Sequence, residues 1–293
     1  MATAPFRRIA IVGVGLMGGS VGMAVRRRIR GARVVGIDRP RVLRRALARR
    51  AIHEGYASVP RGVARADLVV LALPVDGILR TLPAVARHSD RRALVTDLGG
   101  SKEAIMKAAR RAGLGRRFVG GHPMAGSERS GVEHADGGLF ADAPWILCPS
   151  TPGQRIGPVR DLVRRLGARP TVISARLHDR LAARFSHLPQ LVSIALANAA
   201  GRGVGGRGSG FAGPALTQMT RLAESPARLW DGLLKTNRRA AGKALDDFAA
   251  EIRRLRRRIG GDVKPLFRSA SRARARLLGG TRKTRPGSRP PRR

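Results

Sequence analysis

The chain has 293 residues, 43% of them hydrophobic and 3% aromatic, and its 58 Lys+Arg against 19 Asp+Glu give a formal net charge of +39. Such a length accommodates two domains with separate cores, and the apolar share argues against wholesale disorder. A single cysteine, Cys148, excludes an internal disulfide and suits a reducing compartment.

The charge by itself suggests a nucleic-acid partner. However, only 6 of the 58 basic residues are lysine, which points to a compositional bias towards arginine. The bases are spread along the whole chain: residues 268–293 supply 10 and no acid, which leaves +29 elsewhere (39 − 10). With few aromatic rings to stack bases, the expectation is non-specific, salt-sensitive contact with polyanions.

In chain order, "RRIAIVGVGLMGGSVGMAV" sets paired arginines before an apolar run, as an export signal does. Five glycines interrupt that run and "RRRIR" follows it. No other stretch approaches the ~20 apolar residues that cross a bilayer, so a cytoplasmic protein without membrane association is expected. "RIAIVGVG" reads instead as a buried strand and "LMGGSVGMAVRRRI" as a helix. Between them stands Gly13-x-Gly15-x-x-Gly18, with Leu16 and Met17 inside the motif. In this setting the first glycine makes a tight turn and the second admits a pyrophosphate. The third lets helix and strand pack closely, with the helix N-terminus facing the phosphates. The next strand, "ARVVGID", ends in Asp38, whose carboxylate can accept from ribose hydroxyls and would repel a 2′-phosphate. NAD is therefore the expected cofactor. Arg39, able to hold a 2′-phosphate, keeps NADP open.

Strand–helix alternation continues through "ADLVVLALPV", "VDGILRTLPAVARH", "RALVTDLGG", "SKEAIMKAARRAG" and "RRFVGGHPMAG". This predicts a parallel, doubly wound sheet, with ligands beyond the carboxyl ends of its strands. Leu73 and Pro74, "DLGGSK" and "GGHPMAG" all fall at that edge. "PWILCPS", which carries Cys148 as a buried strand residue, and "ARPTVIS" close the sheet around a helix near residues 157–167. After Ser174 the signals are helical: "RLHDRLAARFSHLPQLVSIALANAA" with a kink expected at Pro189, a flexible glycine-rich loop "GRGVGGRGSGFAG", then further helices. Helices this apolar suggest pairing with a second copy. The predicted fold class is α/β: an N-terminal Rossmann-type doubly wound parallel sheet (1–175), an all-helical substrate and dimerisation domain (176–262) and a basic, disordered tail (263–293).

"GVGLMGGS", "ADLVVLALPV", "TDLGGSK", "GGHPMAGSERSGVEHA", "SHLP" and "TRLAESPARLW", in that order, resemble the prephenate, arogenate and cyclohexadienyl dehydrogenases of tyrosine biosynthesis. The likeness spans residues 8–259, and the combination is far more specific than the glycine motif alone. It implies NAD-dependent oxidation and decarboxylation of prephenate to 4-hydroxyphenylpyruvate by a single-function homodimer; the alternative substrate is arogenate, with NAD or NADP, giving tyrosine. By this resemblance His122 takes the ring hydroxyl proton, a task suited to a neutral imidazole. Ser101 would hydrogen-bond the same hydroxyl or hold the nicotinamide; on its own it also reads as an N-cap of "SKEAIMKAA", with Glu103 nearby. Arg221 would clamp a substrate carboxylate. His187 would be either a pocket residue or a core histidine, and Glu128 would border the pocket. Gln190 and Gln218, which line the cleft in the family, stand where many relatives have a histidine and an aspartate, so the preference between keto acid and amino acid stays open.

Two other readings compete. A β-hydroxyacid dehydrogenase would use a helix lysine as proton relay, and Lys235 is the candidate. A basic scaffold that kept a nucleotide-binding fold would bind nucleic acid at physiological salt and form no NADH.

Overall fold

The computed structural model describes residues 6–126, 129–151, 153–154, 156–202 and 210–279. An eight-stranded sheet is built from β1 (Arg8–Val12), β2 (Arg33–Ile37), β3 (Glu54–Tyr56), β4 (Leu68–Leu71), β5 (Leu94–Asp97), β6 (Phe118–Pro123), β7 (Pro144–Pro149) and β8 (Arg169–Val172). Its order is β3-β2-β1-β4-β5-β6-β7-β8. The order reverses between β1 and β4, the switch point at which such sheets open a crevice for ligands. Connecting these strands are α1 (Leu16–Arg28), α2 (Pro40–Ala48), α3 (Val59–Val63), α4 (Val75–His88), α5 (Glu103–Arg111) and α6 (Gly157–Arg165).

Alternate residues of each strand serve opposite faces. Ile9, Ile11, Val34 and Val70 join Val21 and Val25 of α1 and Leu162 of α6 in one core. Ala10, Val12, Val35 and Leu71 join Ile78 and Leu82 of α4 and Ile105 of α5 in the other. Strands buried on both faces explain the unbroken apolar runs of the sequence.

The expected all-parallel sheet needs one correction. β1 to β6 are mutually parallel, but β7 lies antiparallel to β6, with His122 opposite Ile146 and Gly120 opposite Cys148. Among its described residues the β6–β7 connection holds a 3-10 turn, Val132–His134, and no helix that crosses a face of the sheet, so the chain simply returns. α6 supplies such a crossover, and β8 accordingly runs parallel to β7.

Beyond the sheet come α7 (Ala175–Ala182), a π-helical turn (Ala183–His187), α8 (Leu188–Gly201), α9 (Pro214–Thr220), a 3-10 turn (Arg221–Glu224), α10 (Ala227–Thr236) and α11 (Arg238–Arg256). Pro189 has no N–H to donate and its ring crowds the preceding turn; the wide turn just before it absorbs that misfit. The glycine-rich loop expected after α8 lies largely outside the described residues. The chain divides into two compact units, Met1–Gly242 and Lys243–Arg293. Helices α7 to α10 fall in the first of these units, together with the sheet. Residues 264–279, expected to be disordered, form α12 (Lys264–Gly279). A proline near its start and a run of alanine, arginine and leucine make that segment a competent helix despite its charge. Among the described residues no helix is long and apolar enough to cross a membrane.

Candidate active site

The glycine motif forms the turn from β1 into α1. Gly13 has φ +92°, and a Cβ there would lie 2.6 Å from the Ala72 carbonyl and 2.8 Å from Leu73 Cδ2. A Cβ on Gly18 would lie 1.9 Å from the Gly13 carbonyl, so α1 packs against the turn only without a side chain there. At Gly15 a Cβ would meet nothing within 4 Å. The backbone at Gly15, the N-cap of α1, therefore borders open space. Neither a side-chain cap nor an acidic residue occupies the first turn of that helix. Its free N–H groups and positive dipole end suit a pyrophosphate. Half-buried Leu16 and Met17 flank the opening, with Leu73 and exposed Pro74 facing them from the end of β4.

Asp38, at the end of β2, accepts the Val14 N–H at 2.8 Å on Oδ2 and the Arg39 N–H at 2.7 Å on Oδ1. Each oxygen retains acceptor capacity for a ribose hydroxyl. Arg39 is exposed at the start of α2. The loop after β6 passes over the same opening: a Cβ on Gly126 would sit 3.9 Å from Met17 Sδ. The dinucleotide cradle and the His122 loop are therefore neighbours.

His122 sits at the carboxyl end of β6, half-buried. Beneath it lies a fully buried ion pair in which Lys102 Nζ donates to Asp97 Oδ2 and, at 2.7 Å, to the Gly121 carbonyl. Asp97 also accepts the Gly121 N–H at 3.0 Å and the Gly99 N–H at 2.9 Å. Both backbone groups of the residue before His122 are thus tied to β5 and its loop. A Cβ on Gly100 would fall 2.5 Å from Leu233 Cδ1 and 3.9 Å from His122 Cε1, so this glycine lets α10 close over the imidazole.

His122 Nδ1 lies 2.8 Å from His178 Nε2, and His178 Nδ1 lies 2.8 Å from Asp179 Oδ1. Sequence reasoning missed this pair. The adjacent His-Asp within an apolar-striped helix was its only signal, and nothing local says that α7 packs against α5 and β7. His178 and Asp179 are 2% and 1% exposed. Burial pushes the His122 pKa well below the ordinary imidazole value, and neighbouring His178, Lys102 and His187 push it the same way. His122 is therefore neutral at physiological pH.

Ser101 is fully buried, with Oγ 2.8 Å from Thr236 Oγ1 of α10. The reading of Ser101 as the cap of α5 is corrected by the geometry. Asp179 caps that helix, its carboxylate accepting the Lys102 N–H at 2.7 Å and the Glu103 N–H at 2.9 Å.

His187, 1% exposed at the end of the π turn, has Nδ1 3.3 Å from Asn237 Nδ2, which also donates to the Asp179 carbonyl at 2.8 Å. Its ring meets Trp230 edge-on at 6.0 Å, and its buried Nε2 has no partner among the described residues. Burial lowers its pKa to about 4.

Gln190 lies buried on α8. It is 1% exposed, its amide donates to the Leu222 carbonyl at 2.7 Å, and its oxygen accepts from Ser225 Oγ at 3.3 Å. Both ends of the side chain hydrogen-bond the turn that carries Arg221. Arg221 is exposed on the turn and Gln218 is exposed on α9. Glu128 lies outside the described residues. Arg228 of α10 reaches the loop after His122, donating to Ser130 Oγ at 3.1 Å. Lys235, the lysine of the competing reading, is exposed and paired with Asp231 at 2.8 Å, which is no place for a buried proton relay.

Residues 21–172 match the family described as prephenate dehydrogenase, nucleotide-binding domain, and residues 174–269 match prephenate dehydrogenase, dimerization domain. The chain is 31% identical over 268 residues to a prephenate dehydrogenase of Bacillus subtilis, covering 89% of this chain and 72% of that one. It is 30% identical over 290 residues to a cyclohexadienyl dehydrogenase of Zymomonas mobilis, covering 93% and 96%. Among solved structures it resembles a prephenate dehydrogenase of A. aeolicus in complex with hydroxyphenyl propionate and NAD+, with a TM-score of 0.81, 29% identity and coverage of 94% and 96%.

Proposed function

The chain belongs to the prephenate dehydrogenase family, and from that premise we propose the assignment of its residues to the reaction. The enzyme oxidises and decarboxylates prephenate to 4-hydroxyphenylpyruvate with NAD as cofactor, as a homodimer formed through its dimerisation domain. Gly13, Gly15 and Gly18, Leu16, Met17, Leu73, Pro74, Asp38 and Arg39 would hold NAD. The open space at Gly15 and the uncapped start of α1 fit its pyrophosphate, and Asp38 fits an unphosphorylated ribose. Bound there, NAD supplies the acceptor for the hydride that leaves the ring carbon.

The observation that carries the assignment is His122: a neutral, anchored imidazole at the ligand-binding edge of the sheet, beside the dinucleotide cradle. It takes the proton of the ring hydroxyl, so that the C–O bond can gain double-bond character as the hydride departs. Ser101 follows Gly100, where a Cβ would lie 3.9 Å from His122 Cε1, and orients the hydroxyl or the nicotinamide. His187 offers a buried, unpartnered nitrogen to the substrate. Arg221, on the turn held by Gln190, pairs with a substrate carboxylate. A cytoplasmic location and salt-sensitive, non-specific contact of the basic surface with polyanions complete the proposal.

An assay at 340 nm crossing prephenate and arogenate with NAD and NADP tests the substrate and cofactor. Prephenate with NAD is expected to give the fastest rise. His122→Asn is expected to cut kcat by ~10²–10⁴-fold while NAD still binds. Because the base works only when neutral and its pKa is depressed, the acid limb of kcat/KM should have its midpoint below ~6.5. Retention of most of the turnover by the variant would overturn the assignment.

A further inference from the structure

We propose that His178 and Asp179 are positioning residues that fix the tautomer of His122, so that Nε2 is the atom that receives the substrate proton. The inference rests on His122 being the base.

The argument starts from Asp179. Both oxygens of its side chain serve as acceptors at the N-terminus of α5, Oδ1 from the Lys102 N–H and Oδ2 from the Glu103 N–H. His178 Nδ1, 2.8 Å from Oδ1, must therefore carry the hydrogen. A neutral imidazole has one N–H, so His178 Nε2 presents a lone pair to His122 Nδ1 at 2.8 Å. His122 accordingly donates from Nδ1 and keeps its lone pair on Nε2, which no group engages among the described residues. The two rings meet at 66° with centroids 5.0 Å apart, which sets the plane in which Nε2 points.

When the substrate O–H bond breaks, its proton forms the Nε2–H bond of His122. The imidazolium that results is stabilised through Nδ1–H and His178 by the carboxylate of Asp179. The charged and titratable groups facing His122 are His178, Lys102 and His187, which oppose that charge, and Asp179, whose carboxylate reaches it through the His178 ring.

Nitrogen-15 NMR of the imidazoles in the unaltered protein reads the tautomers directly. A bare Nε2 on His122 and a protonated Nδ1 on His178 are expected; a bare Nδ1 on His122 overturns the proposal. In kinetics, His178→Leu should lower kcat by ~10²-fold with little change in KM for prephenate. His178→Gln, whose carbonyl can still accept from His122 Nδ1, should recover much of that loss. Asp179→Asn sets an amide N–H against a backbone N–H of α5 whichever way it turns, removes the charge behind His178 and should lower kcat as well.

If His178→Leu and Asp179→Asn keep kcat within ~3-fold of the parent while His122→Asn is inactive, the positioning role fails and the base assignment stands. If His122→Asn stays active, the base assignment itself fails. Should either variant of the pair not fold, His178→Gln and the NMR tautomers still decide.

Discussion

Lys102→Met removes the ammonium from the buried pair under His122. The side chains of Lys102 and Asp97 are both fully buried, and the lysine also satisfies the Gly121 carbonyl. Leaving one member of a buried ion pair without its partner costs ~3–5 kcal/mol, and the orphaned carbonyl adds ~1 kcal/mol. The N–H groups of Gly99 and Gly121 still donate to Asp97 and offset part of this loss. A net loss of about 4 kcal/mol is expected, out of a total stability of roughly 5–15 kcal/mol. In a chain of this size that lowers Tm by roughly 8–16 °C. Urea and thermal unfolding followed by circular dichroism would measure it. The double variant Asp97→Asn/Lys102→Met should lose much less than the sum of the two single variants, because neither leaves an unpaired charge once both are gone. A single-variant loss below ~1 kcal/mol, or strict additivity in the cycle, would refute the reasoning.

Gly15→Ala should leave Tm unchanged, since its Cβ meets no protein atom, and weaken NAD binding by ~10-fold; titration calorimetry beside a melt separates the two effects. Gly18→Ala should instead unfold at lower temperature, because its Cβ collides with the Gly13 carbonyl. His187 is accepted neutral by the fold, with its pKa lowered to about 4, whereas the unfolded chain takes up a proton below ~6.5. Its contribution, about 3 kcal/mol, is therefore full above pH ~6.5 and is lost as pH falls towards 4. His187→Gln should flatten that part of the stability–pH curve in denaturant titrations. Burial pushes the Cys148 thiol up to about 12, so a thiol reagent should leave the native protein unlabelled at pH 8 and react only on unfolding.

Much of this protein is determined by local pattern. Apolar runs broken by glycine and proline mark the buried strands, and the spacing of Gly13, Gly15 and Gly18 marks the turn into α1, because backbone conformation and burial are constraints that each short segment must satisfy by itself. The same local logic singled out His122 at a strand end. Tertiary structure decided what depends on partners far away in sequence. Ser101 meets Thr236 across 135 positions, and His122 meets His178 across 56. Gln190 braces the Arg221 turn only because α8 packs against that turn. Likewise β7 runs backwards because the described residues of its connection form no crossover helix. A side chain's residue type states which hydrogen bonds it can make; only the packed chain settles which neighbour receives them, and with that which nitrogen of His122 is left bare.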